Sequence, residues 1–316
     1  MKNFTSVHDV PDLPKLLQKA LEIKKYPLQN TTLGTHKTLG LIFLNPSLRT
    51  RMSTQKAAYN LGMNVIVMNM DKDSWALETR EGVIMDGDKA EHAKEAVAVM
   101  GEYCDIIGVR SFPGLKDKEA DYREEMLNIF LKYVGIPVVS LESATRHPLQ
   151  SLADLVTIAE LKKVEKPKIV LTWAPHIKAL PQAVPNSFAE WMLAADHDLT
   201  IAHPEGYELS DEFTKGATIE HDQSKALEDA DFVYVKNWSS FKDYGAVSNR
   251  FPDWTFDHKK HQLTAEAKVM HCLPVRRNVV IADEILDGQH SAVIQQAGNR
   301  VFAAQAVLQT MLEGME

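Results

Sequence analysis

Short apolar runs alternate with amphipathic stretches along the whole chain. Lys37–Leu44 (KTLGLIFL) is an apolar run stopped by Asn45-Pro46 and reads as a buried strand, and Ser47 to Leu61 follows as a helix closed by Gly62. The pairing recurs. Val65–Asn69 is apolar and, after a polar loop, a helix is expected from about Glu91 to Met100. Cys104–Val109 precedes a helix over Asp121–Val134, and Ile136–Leu141 precedes one over Pro148–Lys162. The alternation then restarts with strands Lys168–Trp173, Asp198–Ala202, Asp231–Val235 and Lys268–Leu273. Helices over Ser187–Ala195 and Ser224–Ala230 lie between them, and a last helix runs from about Gln296 to Leu312. An opening helix over Asp12–Lys25 carries Leu16, Leu17, Ala20 and Leu21 on one face.

Continuous apolar strands alternating with helices predict parallel sheets covered on both faces. The pattern predicts an α/β fold of two doubly wound domains, near residues 1–147 and 148–295; the final helix (about 296–316) has no strand after it. Two segments break the rhythm: Asp71–Lys89, a long charged loop containing Trp75, and Pro175–Pro185, with three prolines in eleven residues. Long loops in compact domains are usually functional or disordered.

Composition narrows the function classes. The chain has 316 residues, 45% hydrophobic and 25% charged, which fits two folded domains and not a disordered chain. No run reaches the roughly 18–20 apolar residues of a membrane helix, and MKNFTSVHDVPDL lacks the apolar region of a secretory signal. Two cysteines, Cys104 and Cys272, give no disulfide framework and suit a reducing, cytoplasmic setting. The net charge of −8 argues against a nucleic-acid surface, so any bound anion must be held locally. Arginine, the residue suited to bidentate phosphate or carboxylate binding, occurs at only ten positions, several of them at the ends of apolar runs.

Asn45–Arg51 (NPSLRTR) is the strongest of these. A strand ends, Pro46 turns the chain, and a helix begins, so free N–H groups meet the hydroxyls of Ser47 and Thr50 and the fork of Arg49. For Ser47 alone a plain helix cap is as good a reading. Arg110 directly follows another strand. His147 and Gln150 follow a third, where strand ends of an open sheet line a ligand crevice; His147 beside Pro148 could equally cap a helix. Other motifs fail. There is no G-x-G-x-x-G, no complete P-loop, no H-E-x-x-H and no G-x-S-x-G, and His258 and His261 in DHKKH read as surface residues.

Together, Ser47-Leu48-Arg49-Thr50-Arg51, then His147-Pro148-Leu149-Gln150 with Asp154, then His271-Cys272-Leu273-Pro274 resemble, in order and over nearly the whole chain, the motif set of the aspartate/ornithine transcarbamylase family. The resemblance implies a carbamoyl-phosphate domain and an amino-acid domain, with the final helix packing back on the first, no metal or organic cofactor, and a homotrimer with shared sites. Ser47, Leu48, Arg49 and Thr50 would hold the phosphate. Arg110, His147 and Gln150 would grip the carbamoyl group, with Leu273 beside it, and Arg300 would complete the anion site. Trp75 would reach a neighbouring subunit's site. Cys272 would help accept the proton of the attacking amine, although a free Cys is more often a small buried apolar residue.

The acceptor departs from plain ornithine. After Asp229-Ala230-Asp231 this chain reads Lys236-Asn237-Trp238-Ser239-Ser240, with Lys236 where ornithine enzymes carry the Asp that binds an α-ammonium. Like charges repel, so the α-nitrogen is expected to be acylated. Val275-Arg276-Arg277-Asn278 adds a cation, and either Arg276 or Arg277 could face the substrate. These features resemble the acetylornithine/succinylornithine branch, in which Glu142 and His176 would be further contacts and the Pro-rich loop forms part of a trefoil knot. The residue before Glu91-His92 would select the acyl group; Ala90 offers no repelling carboxylate and favours succinyl over acetyl. The expectation is transfer of a carbamoyl group from carbamoyl phosphate to N-succinyl-L-ornithine in arginine biosynthesis. N-acetyl-L-ornithine is the alternative acceptor, and a non-catalytic anion-binding protein the alternative class.

Overall fold

The computed structural model of the chain describes residues 1–247 and 251–315. It forms two compact units. The first comprises Met1–Pro113, Ala120–Leu149 and the chain from Arg300 onward; the second comprises Gly114–Glu119 and Gln150–Asn299.

In chain order the first elements are α1 (Leu13–Lys25), β1 (Thr38–Phe43), α2 (Arg49–Asn60), β2 (Asn64–Asn69), β3 (Leu77–Glu78), β4 (Glu91–His92) and α3 (Ala93–Tyr103). Next come β5 (Ile106–Arg110), α4 (Lys118–Tyr122), α5 (Glu125–Tyr133), β6 (Val138–Glu142) and α6 (Pro148–Leu161). The first unit's main sheet is parallel, in the order β2-β1-β5-β6. Strands β1, β5 and β6 are buried along nearly their whole length, as expected of strands covered on both faces. Ile42, Val97, Ile107, Val109, Leu127 and Phe130 pack into one core. Each such side chain contributes roughly 1.5–3 kcal/mol on burial. From β1 the chain crosses to β2 on one side; β5 returns on the other side and leads on to β6. Phe43 and Arg110 are register partners at the ends of β1 and β5, so a topological switch point falls at these two C-terminal strand ends.

The second unit holds β7 (Lys168–Trp173), α7 (Ala183–Ala194), β8 (Asp198–Ala202), α8 (Asp211–Thr214), β9 (Thr218–Glu220), α9 (Gln223–Leu227) and β10 (Phe232–Lys236). It continues with α10 (His258–His261), β11 (Lys268–Met270), α11 (Asp283–Leu286) and the start of α12 (Val293–Glu313). Its sheet is parallel, in the order β11-β10-β7-β8-β9. Val170, Val233, Val235, Val269, Phe256 and Ile281 form its core. Here β7 and β10 are the neighbours from which the chain departs in opposite directions, so a second switch point lies at Trp173 and Lys236, also register partners.

Several expected boundaries move. The helix expected over Asp121–Val134 is two helices, α4 and α5, because Glu124 between them takes a left-handed backbone (φ 51°). Helix α2 starts two residues later than expected. Its N-cap position is Leu48, whose apolar side chain makes no cap bond. The loop Asp71–Lys89 contains β3, which pairs in parallel with β4, so Glu91 and His92 are strand and not helix. Pro185 lies in the first turn of α7, where its missing N–H costs nothing. His261 is buried, its Nε2 lying 2.9 Å from the Ala267 carbonyl, while His258 is exposed as expected. The other cysteine, Cys104, packs where Gly40 leaves room: a Cβ on Gly40 would stand 2.7 Å from the Cys104 sulfur. Burial pushes the Cys104 thiol up, so it remains protonated and inert.

Candidate active site

At the first switch point the structure assembles a buried cationic cluster. Arg110 ends β5, Glu142 ends β6, and Thr50 lies in the first turn of α2. Arg110 donates from Nη1 to Glu142 Oε2 at 2.6 Å and approaches Thr50 Oγ1 at 3.5 Å. Its guanidinium also lies 4.2 Å from the centre of the Phe112 ring. Arg300 donates from Nη2 to Thr50 Oγ1 at 2.5 Å and stands 3.4 Å from His147 Nε2. That nitrogen is also 3.4 Å from Glu142 Oε2. Thr50, Arg110, Glu142, His147 and Arg300 are all buried.

Burial, and then the guanidiniums of Arg300 and Arg110, push the His147 imidazole well below the usual histidine range. It is therefore neutral at physiological pH and acts as a hydrogen-bonding group, not a cation. Arg49 opens α2 half-buried. Thr50, in the first turn of that helix, contacts Arg300 and Arg110, so the positive dipole end of α2 adjoins the cluster. Arginines, a helix N-terminus and a neutral imidazole in a desolvated setting suit a doubly charged phosphate joined to a polarisable carbonyl.

Within the second unit, two further groups of predicted residues are each held together. Gln150 Nε2 donates to Asp154 Oδ1 at 2.8 Å, and Gln296 Nε2 donates to the same oxygen at 2.7 Å. Gln296 Oε1 accepts the His271 N–H at 2.9 Å. One fully buried carboxylate thus ties Gln150 to the His271-Cys272-Leu273 turn, which continues with the Leu273 N–H donating to His271 Nδ1 at 2.8 Å. Leu273 has φ 55°, an uncommon conformation for a residue with a side chain. Cys272 is half-buried.

At the second switch point Lys236 is buried and donates to the Asn237 carbonyl at 2.7 Å; Asn237 in turn donates to the Ala174 carbonyl at 2.6 Å. His176 follows β7. Burial first, and then Lys236, Arg276 and Lys178, push its imidazole down, partly opposed by the hydrogen bond to the Lys178 carbonyl. A cationic field therefore surrounds His176.

The structure separates the two adjacent arginines. Arg277 is consumed by carboxylates, with Nη1 2.9 Å from Asp283 Oδ1 and Nη2 2.7 Å from Asp287 Oδ1. Arg276 is exposed and makes no ion pair among the described residues. Ser47 is half-buried. Leu48, Trp75 and Ala90 are exposed, and Trp75 Nε1 donates to Glu91 Oε2 at 2.9 Å. Gln296 and the role of Asp154 were not foreseen. A lone Gln early in a helix carries no pattern, and its meaning comes only from the turn it reaches.

The chain matches two family models, "Aspartate/ornithine carbamoyltransferase, carbamoyl-P binding domain" over residues 2–160 and "Aspartate/ornithine carbamoyltransferase, Asp/Orn binding domain" over residues 181–311. The chain belongs to the aspartate/ornithine carbamoyltransferase family. Within that family it is 54% identical over 318 residues, with both chains fully covered, to the N-succinylornithine carbamoyltransferase of Bacteroides thetaiotaomicron. It is 34% identical over 331 residues to the N-acetylornithine carbamoyltransferase of Xylella fastidiosa, covering 98% of each chain. Among solved carbamoyltransferase structures, a glutamate-to-alanine mutant of N-acetyl-L-ornithine transcarbamylase complexed with carbamyl phosphate and N-succinyl-L-norvaline superposes with a TM-score of 0.93. That protein is 33% identical, and the match covers 98% of this chain and 100% of that one.

Proposed function

We propose that this carbamoyltransferase moves the carbamoyl group of carbamoyl phosphate to the δ-amino group of N-succinyl-L-ornithine, giving N-succinyl-L-citrulline and phosphate. In this reading the start of α2, with Ser47, Leu48, Arg49 and Thr50, holds the phosphate together with Arg300. Arg110 and neutral His147 bind the carbamoyl carbonyl, with Gln150, Cys272 and Leu273 completing its contacts. Lys236, Arg276, Glu142, His176 and Ala90 receive the acylated acceptor. The neutral amine attacks the carbamoyl carbon, forming a C–N bond as the carbon–oxygen bond to phosphate breaks; negative charge grows on the carbonyl oxygen and on the leaving phosphate, and the proton lost by the amine passes, with Cys272 assisting, to the departing phosphate. Fixed guanidiniums and amides stabilise that charge without rearranging, which is where most of the rate enhancement arises.

The observation that carries the acceptor assignment is the buried Lys236 at the end of β10. An α-ammonium beside it would be a like-charge pair out of water, whereas an acylated nitrogen carries no charge and the succinyl carboxylate welcomes a cation. The high identity to an N-succinylornithine carbamoyltransferase supports the same choice. We further propose a cytoplasmic homotrimer in which the exposed Trp75, on the loop before β3, serves a neighbouring copy's site, with residues 1–147 and 148–295 as the two domains. The test is a colorimetric citrulline assay with carbamoyl phosphate and, separately, ornithine, N-acetylornithine and N-succinylornithine. N-succinylornithine should be fastest and ornithine slowest; ornithine as best acceptor would overturn the reading.

A further inference from the structure

The helix expected over Asp121–Val134 breaks at Glu124, and the break has a consequence for the site. Glu124 sits between α4 and α5 in the left-handed region (φ 51°), which is uncommon and strained for a residue with a side chain. Its carboxylate is turned into the loop that leads from β6 to α6. Oε1 accepts from Ser143 Oγ at 2.6 Å, from the Thr145 N–H at 2.8 Å and from Thr145 Oγ1 at 2.5 Å; Oε2 accepts from the Ala144 N–H at 3.0 Å. Four donors from three consecutive residues converge on one side chain. The turn closes on itself through the Ser143 N–H, which donates to the Arg146 carbonyl at 2.8 Å, and through the Arg146 N–H, which donates to Ser143 Oγ at 3.2 Å. Immediately before this turn is Glu142 and immediately after it is His147, the two residues that meet at 3.4 Å beside Arg110 and Arg300.

We propose that Glu124 is a positioning residue for carbamoyl transfer, its carboxylate fixing the Ser143–Arg146 turn and thereby the spacing of Glu142 and His147. Among the described residues the Glu124 side chain makes no cap bond to its own helix and no salt bridge, and its four acceptor contacts all go to the turn. Charge-assisted bonds from backbone amides are the stronger kind, and they hold the turn more tightly than water could. A misplacement of about 1 Å in a reacting group can cost on the order of 100-fold in rate.

This inference rests on the carbamoyltransferase reading, and the test separates the two. Glu124→Gln can keep all three bonds at Oε1 and lose only the Ala144 bond, whereas Glu124→Ala loses all four. Turnover and KM for each substrate are measured in both variants, with folding checked by denaturation. The expected result is graded: KM for carbamoyl phosphate rises and kcat falls roughly 10- to 100-fold in Glu124→Ala and several-fold less in Glu124→Gln. Thr145→Val is then combined with Glu124→Ala; the double variant should be little worse than Glu124→Ala alone, both for activity and for unfolding free energy. Folded Glu124→Ala with wild-type kcat and KM, or fully additive Glu124 and Thr145 effects, would overturn the proposal. A wild type that transfers no carbamoyl group fails the function reading instead, and the denaturation cycle still reads the clamp.

Discussion

Glu142 is the carboxylate that the cationic cluster keeps beside Arg110, and replacing it should change stability and anion binding in opposite directions. At the observed 2.6 Å between Arg110 Nη1 and Glu142 Oε2, the attraction is about 6 kcal/mol at an effective dielectric of 20. Desolvation of both groups offsets part of this, and removing one partner of a buried pair typically costs roughly 3–5 kcal/mol because the other charge is stranded. Glu142→Gln keeps a neutral acceptor worth about 1 kcal/mol, so the expected loss is roughly 2–4 kcal/mol. For a chain this size that is a fall in Tm of roughly 3–6 °C. The stranded Arg110 is, however, the group proposed to meet the carbamoyl oxygen. An anion bound there supplies the missing negative charge, so inorganic phosphate or carbamoyl phosphate should raise the Tm of Glu142→Gln by more than it raises that of the wild type. The assay is a thermal melt of both proteins across a ligand titration. An unchanged Tm without ligand, or ligand-induced shifts that are parallel in the two proteins, would refute the idea that Glu142 is the resting counter-charge of the anion site.

Three further expectations follow from the same geometry. Arg49→Ala should weaken carbamoyl phosphate binding by roughly 1.5–3 kcal/mol, about 10- to 150-fold in Kd by calorimetry, while the denaturation curve stays close to wild type. His147 binds protons less readily folded than unfolded, so below its unfolded pKa of about 6.5 the unfolded state gains a proton the native state lacks. Stability should therefore fall as pH drops below 6.5, with a slope from this residue of up to about 1.4 kcal/mol per pH unit; unfolding free energies from pH 5 to 7 should show a shallower slope in His147→Gln, and parallel curves would contradict a buried neutral imidazole. Ala90→Glu should place a carboxylate toward the succinyl group at a cost of roughly 1–4 kcal/mol for like charges a few ångströms apart, swinging the activity ratio toward N-acetylornithine, and an unchanged ratio would sink that account of acyl selection.

Much of this site is legible in the order of residues because of where an open parallel sheet puts its strand ends. The runs TLGLIF, IIGVR and VVSLE are buried strands, and Arg49, Arg110 and His147 stand just beyond three of them, so their convergence follows from topology. Lys236 is legible for the same reason at the end of β10. What the sequence hides is local and relational. Strands β3 and β4 are two residues each, too short to show a period. Glu124 lies inside a stretch with good helical spacing, and nothing local announces that it will abandon the helix for a turn about twenty residues away. Gln296 and Asp154 acquire meaning only when three separate segments meet. Arg276 and Arg277 look alike on paper, and only the carboxylates of Asp283 and Asp287, 6 and 10 residues further on, distinguish them.

The acceptor is what the structure argues most specifically, through a buried lysine at the end of β10. The direct measurement is transfer of label from carbamoyl phosphate carrying carbon-13 in its carbamoyl group. Equal concentrations of ornithine, N-acetylornithine and N-succinylornithine compete in one reaction, and the products are separated by mass spectrometry. The label should appear first and predominantly in the ureido carbon of N-succinylcitrulline, with a minor share in N-acetylcitrulline and almost none in citrulline. Label accumulating mainly in citrulline, or in none of the three, would contradict the assignment.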